Sequence, residues 1–263
     1  MDKIGIIVTT FLRDDLLYKT IQTIINNLPD NCIILIGDQN PTEAKLHTFS
    51  QEKVYYYGLP FDYGLSASRN FLVQEAQKLK CNYILLSADS IEFTKKYDFE
   101  SIISFLESNK DYGLIGLSDD SIPWNVNMEL IPKKHWQLDI SHTEKIIYNN
   151  IEFLPCDMCG NFFLAKIECL LENKWNNDLK LAEHEAFFWE LKKLNKWKVF
   201  YTDYIVSKHI IAHNESQYNS YRQRIYTEFR KKLQEIYNIT GWVTYTPDLI
   251  KVFNNYKRTH KCR

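Results

Sequence analysis

The stretch Tyr83–Thr94, YILLSADSIEFT, decides how this chain is read. Four apolar residues (Tyr83, Ile84, Leu85, Leu86) stop abruptly at Ser87-Ala88-Asp89-Ser90, and Ile91-Glu92-Phe93 restores the apolar character. A run with no polar alternation marks a strand covered on both faces, and open α/β sheets bind ligands beyond the carboxyl ends of such strands. Asp89 therefore stands as a lone carboxylate at the edge where a ligand is expected.

Working outward, Ile4–Thr9 and Cys32–Ile36 are two further apolar runs, the second closing at Gly37-Asp38. Leu17, Ile21, Ile24 and Leu28 recur at helical spacing between them. Residues 53–57 read as a third strand, 66–79 as a helix and 82–86 as the fourth strand. This alternation predicts a mostly parallel central sheet with helices on both faces. A helix over 99–108 and a strand over 113–117 continue it. The pattern then breaks: 119–150 carries Pro123, Trp124, Pro132 and Trp136 and reads as a hairpin or irregular excursion. Strands over 162–165 and 197–201, and helices over 183–194 and 216–239, complete the reading, with 257–263 as a basic solvated tail. The expected organisation is one α/β domain, residues 1–214, and a C-terminal helical extension, residues 215–263.

Length allows one large core, and a formal net charge of −1 supplies no field to attract nucleic acid or anionic membrane. No apolar run approaches the ~18 residues of a membrane span, and none resembles a signal peptide. The expected location is the cytoplasm with reduced thiols; the alternative is a catalytic fragment separated from its anchor. Cys32 and Cys81 lie beside strands and read as small buried hydrophobes. Cys156-x-x-Cys159 has half the spacing of a zinc site without its second half, so it reads as structural.

Other candidates gather around the same edge. Thr9 and Thr10 follow the first strand, and Asp38 ends the second, placed either to accept a hydrogen bond from a ligand or to cap the turn before Asn40-Pro41. Arg69 lies in the first turns of a helix after the small-residue loop Gly64–Ser68, suited to a diphosphate or to a salt bridge. Glu183-His184-Glu185 opens a helix ahead of aromatics; its acids complement the helix dipole, or one of them serves as a general base. His209 and His213 could complete a metal or phosphate site beside Asp89. Trp124 and Trp136 suit either a sugar platform or core packing.

Taken in order, Ile4–Arg13, Ile33–Asp38, Gly64–Asn70 (GLSASRN), Ala88–Thr94 (ADSIEFT), Asn161–Lys166 (NFFLAK), Glu183–Phe188 (EHEAFF) and Val206–His209 resemble the inverting GT-A glycosyltransferases, similar to family 2 and to the family 12 N-acetylgalactosaminyltransferase type. The resemblance implies a nucleotide-sugar donor, usually UDP-linked, held over residues 1–95 by Thr9, Thr10, Asp38, Arg69, Ala88 and Asp89. It implies an acceptor and catalytic half over 96–214. A divalent metal, Mn²⁺ or Mg²⁺, would sit at the Ala88-Asp89-Ser90 triplet and be completed by His209. The base would come from Glu183, His184 and Glu185, with Glu185 favoured because His184 stands where many relatives carry Asp. Trp124 and Asn161 would face an acceptor that is a glycan, lipid-linked or protein-linked. The triplet departs from the family pattern in having Ala88 and Ser90 where acids are usual.

Two rivals remain at this stage. One is a relative that binds nucleotide-sugar or glycan without turnover, motivated by Ala88 and Ser90. The other is a sugar nucleotidyltransferase, disfavoured because Thr9–Arg13 is not a basic glycine-rich loop. A dinucleotide oxidoreductase lacks its GxGxxG after any strand.

Overall fold

The strand–helix alternation read from the apolar runs is present in the computed structural model, which describes residues 2–120, 125–132, 135–141, 143–210, 216–240 and 243–260. The first half runs β1 (Ile4–Thr10), α1 (Asp14–Asn26), β2 (Cys32–Asp38), α2 (Glu43–Thr48), β3 (Val54–Gly58), α3 (Leu65–Lys78) and β4 (Tyr83–Ala88). Short β5 (Ile91–Glu92), α4 (Phe99–Glu107) and β6 (Tyr112–Ser118) follow. The excursion resolves into β7 (Val126–Ile131), β8 (His135–Ile140) and β9 (Ile146–Tyr148), and leads to β10 (Ile151–Cys156), β11 (Phe163–Lys166) and α5 (Ile167–Glu172). The chain ends with α6 (Glu183–Leu194), β12 (Lys198–Val206), β13 (Lys208–His209), α7 (Ser216–Tyr237), β14 (Val243–Tyr245) and α8 (Pro247–His260).

Nine strands form the central sheet in the order β3-β2-β1-β4-β11-β6-β12-β10-β9. β1 pairs in parallel with β2 and β4, level enough that Thr10 faces Asp38 and Thr9 faces Ala88. Three carboxyl ends are thereby brought to one rim. β11 runs antiparallel between β4 and β6, so the chain enters it at that same rim, just after Asn161.

The apolar runs lack alternation because both faces are covered. In β1, Ile4, Ile6 and Val8 pack toward α1 and α4, while Ile7 packs with Leu72, Val73 and Ala76 of α3. Each such side chain, fully buried, contributes roughly 1.5–3 kcal/mol. On the α3 side the core continues through Phe187 and Phe188 of α6 to Trp136 of β8 and Phe229 and Leu233 of α7.

The structure goes beyond the sequence reading in several places. β10 was not expected: Glu152, Pro155 and Cys156 interrupt its apolar pattern, and only pairing with β12 reveals it. The excursion is an antiparallel β7–β8 hairpin to which β14 adds a parallel strand from the C-terminal region. The basic tail is helical through His260, as part of α8. Trp136 is fully buried against Trp189 and Tyr237, which makes it core and not a sugar platform. Among the described residues no helix is long and apolar enough to cross a membrane.

Candidate active site

A cleft of about 590 Å³ opens over the rim where β1 and β4 end. Asp89 lies at its floor, 4 % exposed. Arg13 Nη1 donates to Asp89 Oδ1 at 2.6 Å, and Thr10 Oγ1 donates to Asp89 Oδ2 at 2.8 Å. Thr20 Oγ1 donates to the Asp89 carbonyl at 2.9 Å, tying α1 to the strand end. Beside it Ser90 Oγ and His209 Nε2 are 3.2 Å apart, held there by the β5–β13 pairing of Ile91 with His209.

The opposite wall is the start of α6. Ala182 takes a left-handed conformation (φ 62°), which turns the chain sharply and starts the helix at Glu183. Arg69 Nη1 donates to Glu183 Oε1 at 2.9 Å, and both are about 5 % exposed. Burial works against the Arg69 charge, and the Glu183 carboxylate supports it. Arg69 Nε and Ser87 Oγ, both buried and both belonging to cleft residues, have no hydrogen-bond partner among the described residues. Buried polar atoms are rarely left so, and two at the floor of one cleft are suited to a polar ligand.

His184 and Glu185 titrate in opposite senses. Burial, then the nearby Arg69 charge, pull the His184 imidazole down to about 3, against a hydrogen bond to the Cys159 backbone. It is neutral at physiological pH. Burial pushes the Glu185 carboxyl up to about 7; its own backbone N–H opposes this and the Glu183 charge adds to it. Tyr245 of β14 lies near enough for Glu185 to raise its phenol further, after burial.

A third wall joins the loop before α3 to the segment before α6. Gly64 N donates to Gln39 Oε1 at 2.7 Å, Ser66 Oγ to the Leu179 carbonyl at 2.6 Å, and Lys180 Nζ to Asp62 Oδ2 at 2.7 Å. The cleft is capped by the first turns of α7, whose Tyr218, Tyr221 and Arg222 face it; Phe11 and Phe61 meet Tyr221 edge-on at 5.2 and 6.4 Å.

Of the residues singled out from sequence, Thr9, Thr10, Arg69, Ala88, Asp89, Asn161, Glu183, His184, Glu185 and His209 line this one cleft. Asp38 does not. It is fully buried, taking Lys45 Nζ at 2.9 Å and Tyr56 Oη at 2.8 Å on one oxygen and Asn40 N at 2.8 Å on the other. The turn-cap reading describes its contacts. Trp124 and His213 lie outside the described residues. Cys156 and Cys159 are free thiols, both pushed up by burial, as expected of structural cysteines. Arg13, Lys180, Tyr218 and Arg222 were assigned no role from sequence. The signal for the last two is the spacing of Tyr218, Tyr221, Arg222 and Ile225, one face of a helix.

The triplet does not fit a resident Mn²⁺ or Mg²⁺. A hard cation resident before substrate binds wants several oxygen ligands from the protein; with one or two carboxylates it relies on water and on substrate phosphates. Asp89 is the triplet's single acid, and Arg13 and Thr10 engage both its oxygens. Among the described residues no three His, Cys, Asp or Glu side chains gather to hold a metal.

Comparison with known proteins fits this geometry. The glycosyl transferase family 2 model matches residues 5–168, a span that ends before α6. The structure is similar to that of S. aureus TarS 1–349, with TM-score 0.57, 12 % identity, and 98 % of this chain and 72 % of that chain covered. The same TarS segment in complex with UDP-GlcNAc gives TM-score 0.58 and 13 % identity, over 98 % of this chain and 73 % of that one. GalNAc-T7 with UDP, GalNAc and Mn²⁺ gives TM-score 0.63 and 12 % identity, over 100 % of this chain and 57 % of that one. No curated protein sequence matches significantly.

Proposed function

The chain belongs to glycosyl transferase family 2, and we propose that it moves a sugar from a nucleoside-diphosphate donor to a hydroxyl acceptor with inversion, Glu185 acting as base. The observation that carries this reading is the Glu185 carboxyl, pushed by burial to about 7 at the wall of the cleft that also holds Asp89 and Arg69. A base near neutrality is half deprotonated at working pH yet still takes a proton readily, which contributes roughly 10²–10⁴-fold in rate.

In this reading the donor lies over the rim of β1 and β4, within residues 1–95, and the acceptor enters from the side of Asn161, within residues 96–214. Glu185 takes the proton from the acceptor hydroxyl as that oxygen bonds to the anomeric carbon. The bond from that carbon to the diphosphate oxygen breaks on the opposite face, and its electron pair leaves with the nucleoside diphosphate. Glu183 holds Arg69 toward the donor, so the two acids divide the work: one positions a cation, the other moves a proton. His184, neutral, contributes no charge change. A UDP donor is supported by the ligands of the structurally similar proteins, UDP-GlcNAc with TarS and UDP with GalNAc-T7. Among the described residues no three His, Cys, Asp or Glu side chains gather to hold the Mn²⁺ present with the latter, and no step is routed through a metal.

The test is Glu185→Gln, an isostere that cannot take the proton. UDP release from UDP-linked hexoses and N-acetylhexosamines should fall roughly 10²–10⁴-fold while UDP binding stays within a few-fold. Wild-type protein that binds UDP but releases none from any donor supports the non-catalytic relative instead.

A further inference from the structure

Every cation on the cleft wall save one faces a carboxylate. Arg13 is paired with Asp89, Arg69 with Glu183 and Lys180 with Asp62. Arg222, on the second turn of α7, forms no ion pair with a carboxylate among the described residues; it donates through Nη1 to the Tyr218 hydroxyl at 3.1 Å. Its guanidinium lies 6.0 Å from the Tyr218 ring centre, and the Arg13 guanidinium lies 4.9 Å from the same ring. The two arginines, one from the segment after β1 and one from the C-terminal helix, thus share a single aromatic spacer at the cleft.

Resting on the donor reading above, we propose that Arg222 receives the donor's diphosphate together with Arg13, and that these guanidinium groups do the neutralising a divalent cation does elsewhere. Three observations converge. The triplet offers one acid, already engaged by Arg13 and Thr10, leaving the negative charge of a diphosphate to be met by other groups. Arg13, Arg69 and Lys180 each face a carboxylate, so among the described residues Arg222 is the guanidinium on this wall that no acid offsets, and Arg13 sets a second guanidinium beside the same tyrosine ring. The unpartnered Arg69 Nε and Ser87 Oγ on the floor add polar groups that a bound oxyanion would satisfy. Guanidinium groups bind phosphate oxygens through two parallel N–H donors, which fixes orientation as well as supplying charge. Tyr218 holds Arg222 in place before the ligand arrives, limiting the side-chain entropy lost on binding. The C-terminal helix is on this account part of the donor site, and removing it removes half of the clamp.

The experiment is calorimetric titration of the full chain with UDP and with uridine, in EDTA and again with Mn²⁺. Wild-type protein should bind UDP in EDTA with an affinity that Mn²⁺ changes less than about threefold. Arg222→Ala should weaken UDP about 10-fold or more and leave uridine unchanged, because charge-assisted phosphate contacts are lost and base contacts are not. Arg222→Lys should recover part of the loss. Equal UDP affinity in wild type and Arg222→Ala overturns the proposal while the donor reading stands. UDP binding that requires Mn²⁺ also overturns it and restores the metal. Wild-type protein that binds neither UDP nor uridine sinks the donor reading itself, and this proposal with it. Arg222 is exposed, so an unchanged thermal midpoint is expected and separates lost binding from lost folding.

Discussion

Along the sheet rim Asp38 is held by Lys45 at 2.9 Å and Asp89 by Arg13 at 2.6 Å, whereas Glu185, in the first turn of α6, forms no ion pair among the described residues. Both regions bury carboxylates, and they do so with opposite consequences. A buried acid beside a guanidinium or ammonium stays ionised, because the partner replaces the lost water. A buried acid without one resists ionisation and keeps its proton toward neutral pH. The rim is therefore a set of paired charges, and the turn of α6 is built to exchange a proton. Glu183, two residues earlier on the same helix, is paired as the rim acids are, because Arg69 reaches it.

The strongest way to break this comparison is to remove a cation from the rim. Lys45→Met leaves the fully buried Asp38 carboxylate without its counter-charge and should cost about 3–5 kcal/mol of stability. Arg69→Met does the same to Glu183 and falls in the same range. Urea denaturation measures both. Near-wild-type midpoints would show that water reaches these carboxylates and that the rim is not a sealed charge array.

Much of this rim was legible in the sequence, and the reasons are physical. The runs at Ile4, Cys32 and Tyr83 lack polar alternation because both faces of a central strand are covered, a local record of a global fact. Glu183 was readable as a helix start because acids favour that end of a helix. The pairing of Asp38 with Lys45 was not readable. It depends on α2 turning its Lys45 inward, and a lysine in a short polar helix ordinarily faces water. Nor were Arg13 and Arg222, since a helix more than a hundred residues beyond Asp89 folds back over the strand end. β10 and the direction of β11 were hidden for the same reason: pairing partners distant in sequence leave no local pattern.

The pH dependence sharpens the comparison at its other pole. Glu185 titrates at about 7 in the folded protein against an ordinary value of 4.5, so the folded state binds the proton more tightly. Where the native state holds more protons than the unfolded one, stability falls as pH rises. Its contribution should be lost between about pH 4.5 and 7, by an amount of order 3 kcal/mol once the shift is complete. In Glu185→Gln that slope should vanish, leaving the variant more stable than wild type above pH 7 and similar below pH 4.5. Turnover should run the other way, rising with pH to a plateau above an apparent pKa near 7, because only the carboxylate accepts a proton. His184, held neutral with a pKa of about 3, adds no second limb near neutrality. A parallel stability slope in the two proteins would assign the titration to another group.

The smallest expected effect lies where the two regions are joined, at the loop before α3. Gly64 has φ +93° and ψ 152°, a region open essentially to glycine alone, which costs a residue with a side chain of order 1–3 kcal/mol. A Cβ there would also come within 2.7 Å of Lys180 Cγ and 3.2 Å of the Lys180 Cα. Lys180 can move its side chain but not its backbone, since Leu65 N and Ser66 Oγ bond to the carbonyls at 180 and 179. Gly64→Ala should therefore lower stability by roughly 1–3 kcal/mol, less than the loss of either buried cation. Part of the strain should be relieved by pushing Lys180 off Asp62, which opens the wall between donor rim and α6. The urea midpoint reads the first consequence and UDP affinity the second. A drop in midpoint with unchanged UDP affinity would mean that this wall holds the fold together without shaping the donor site.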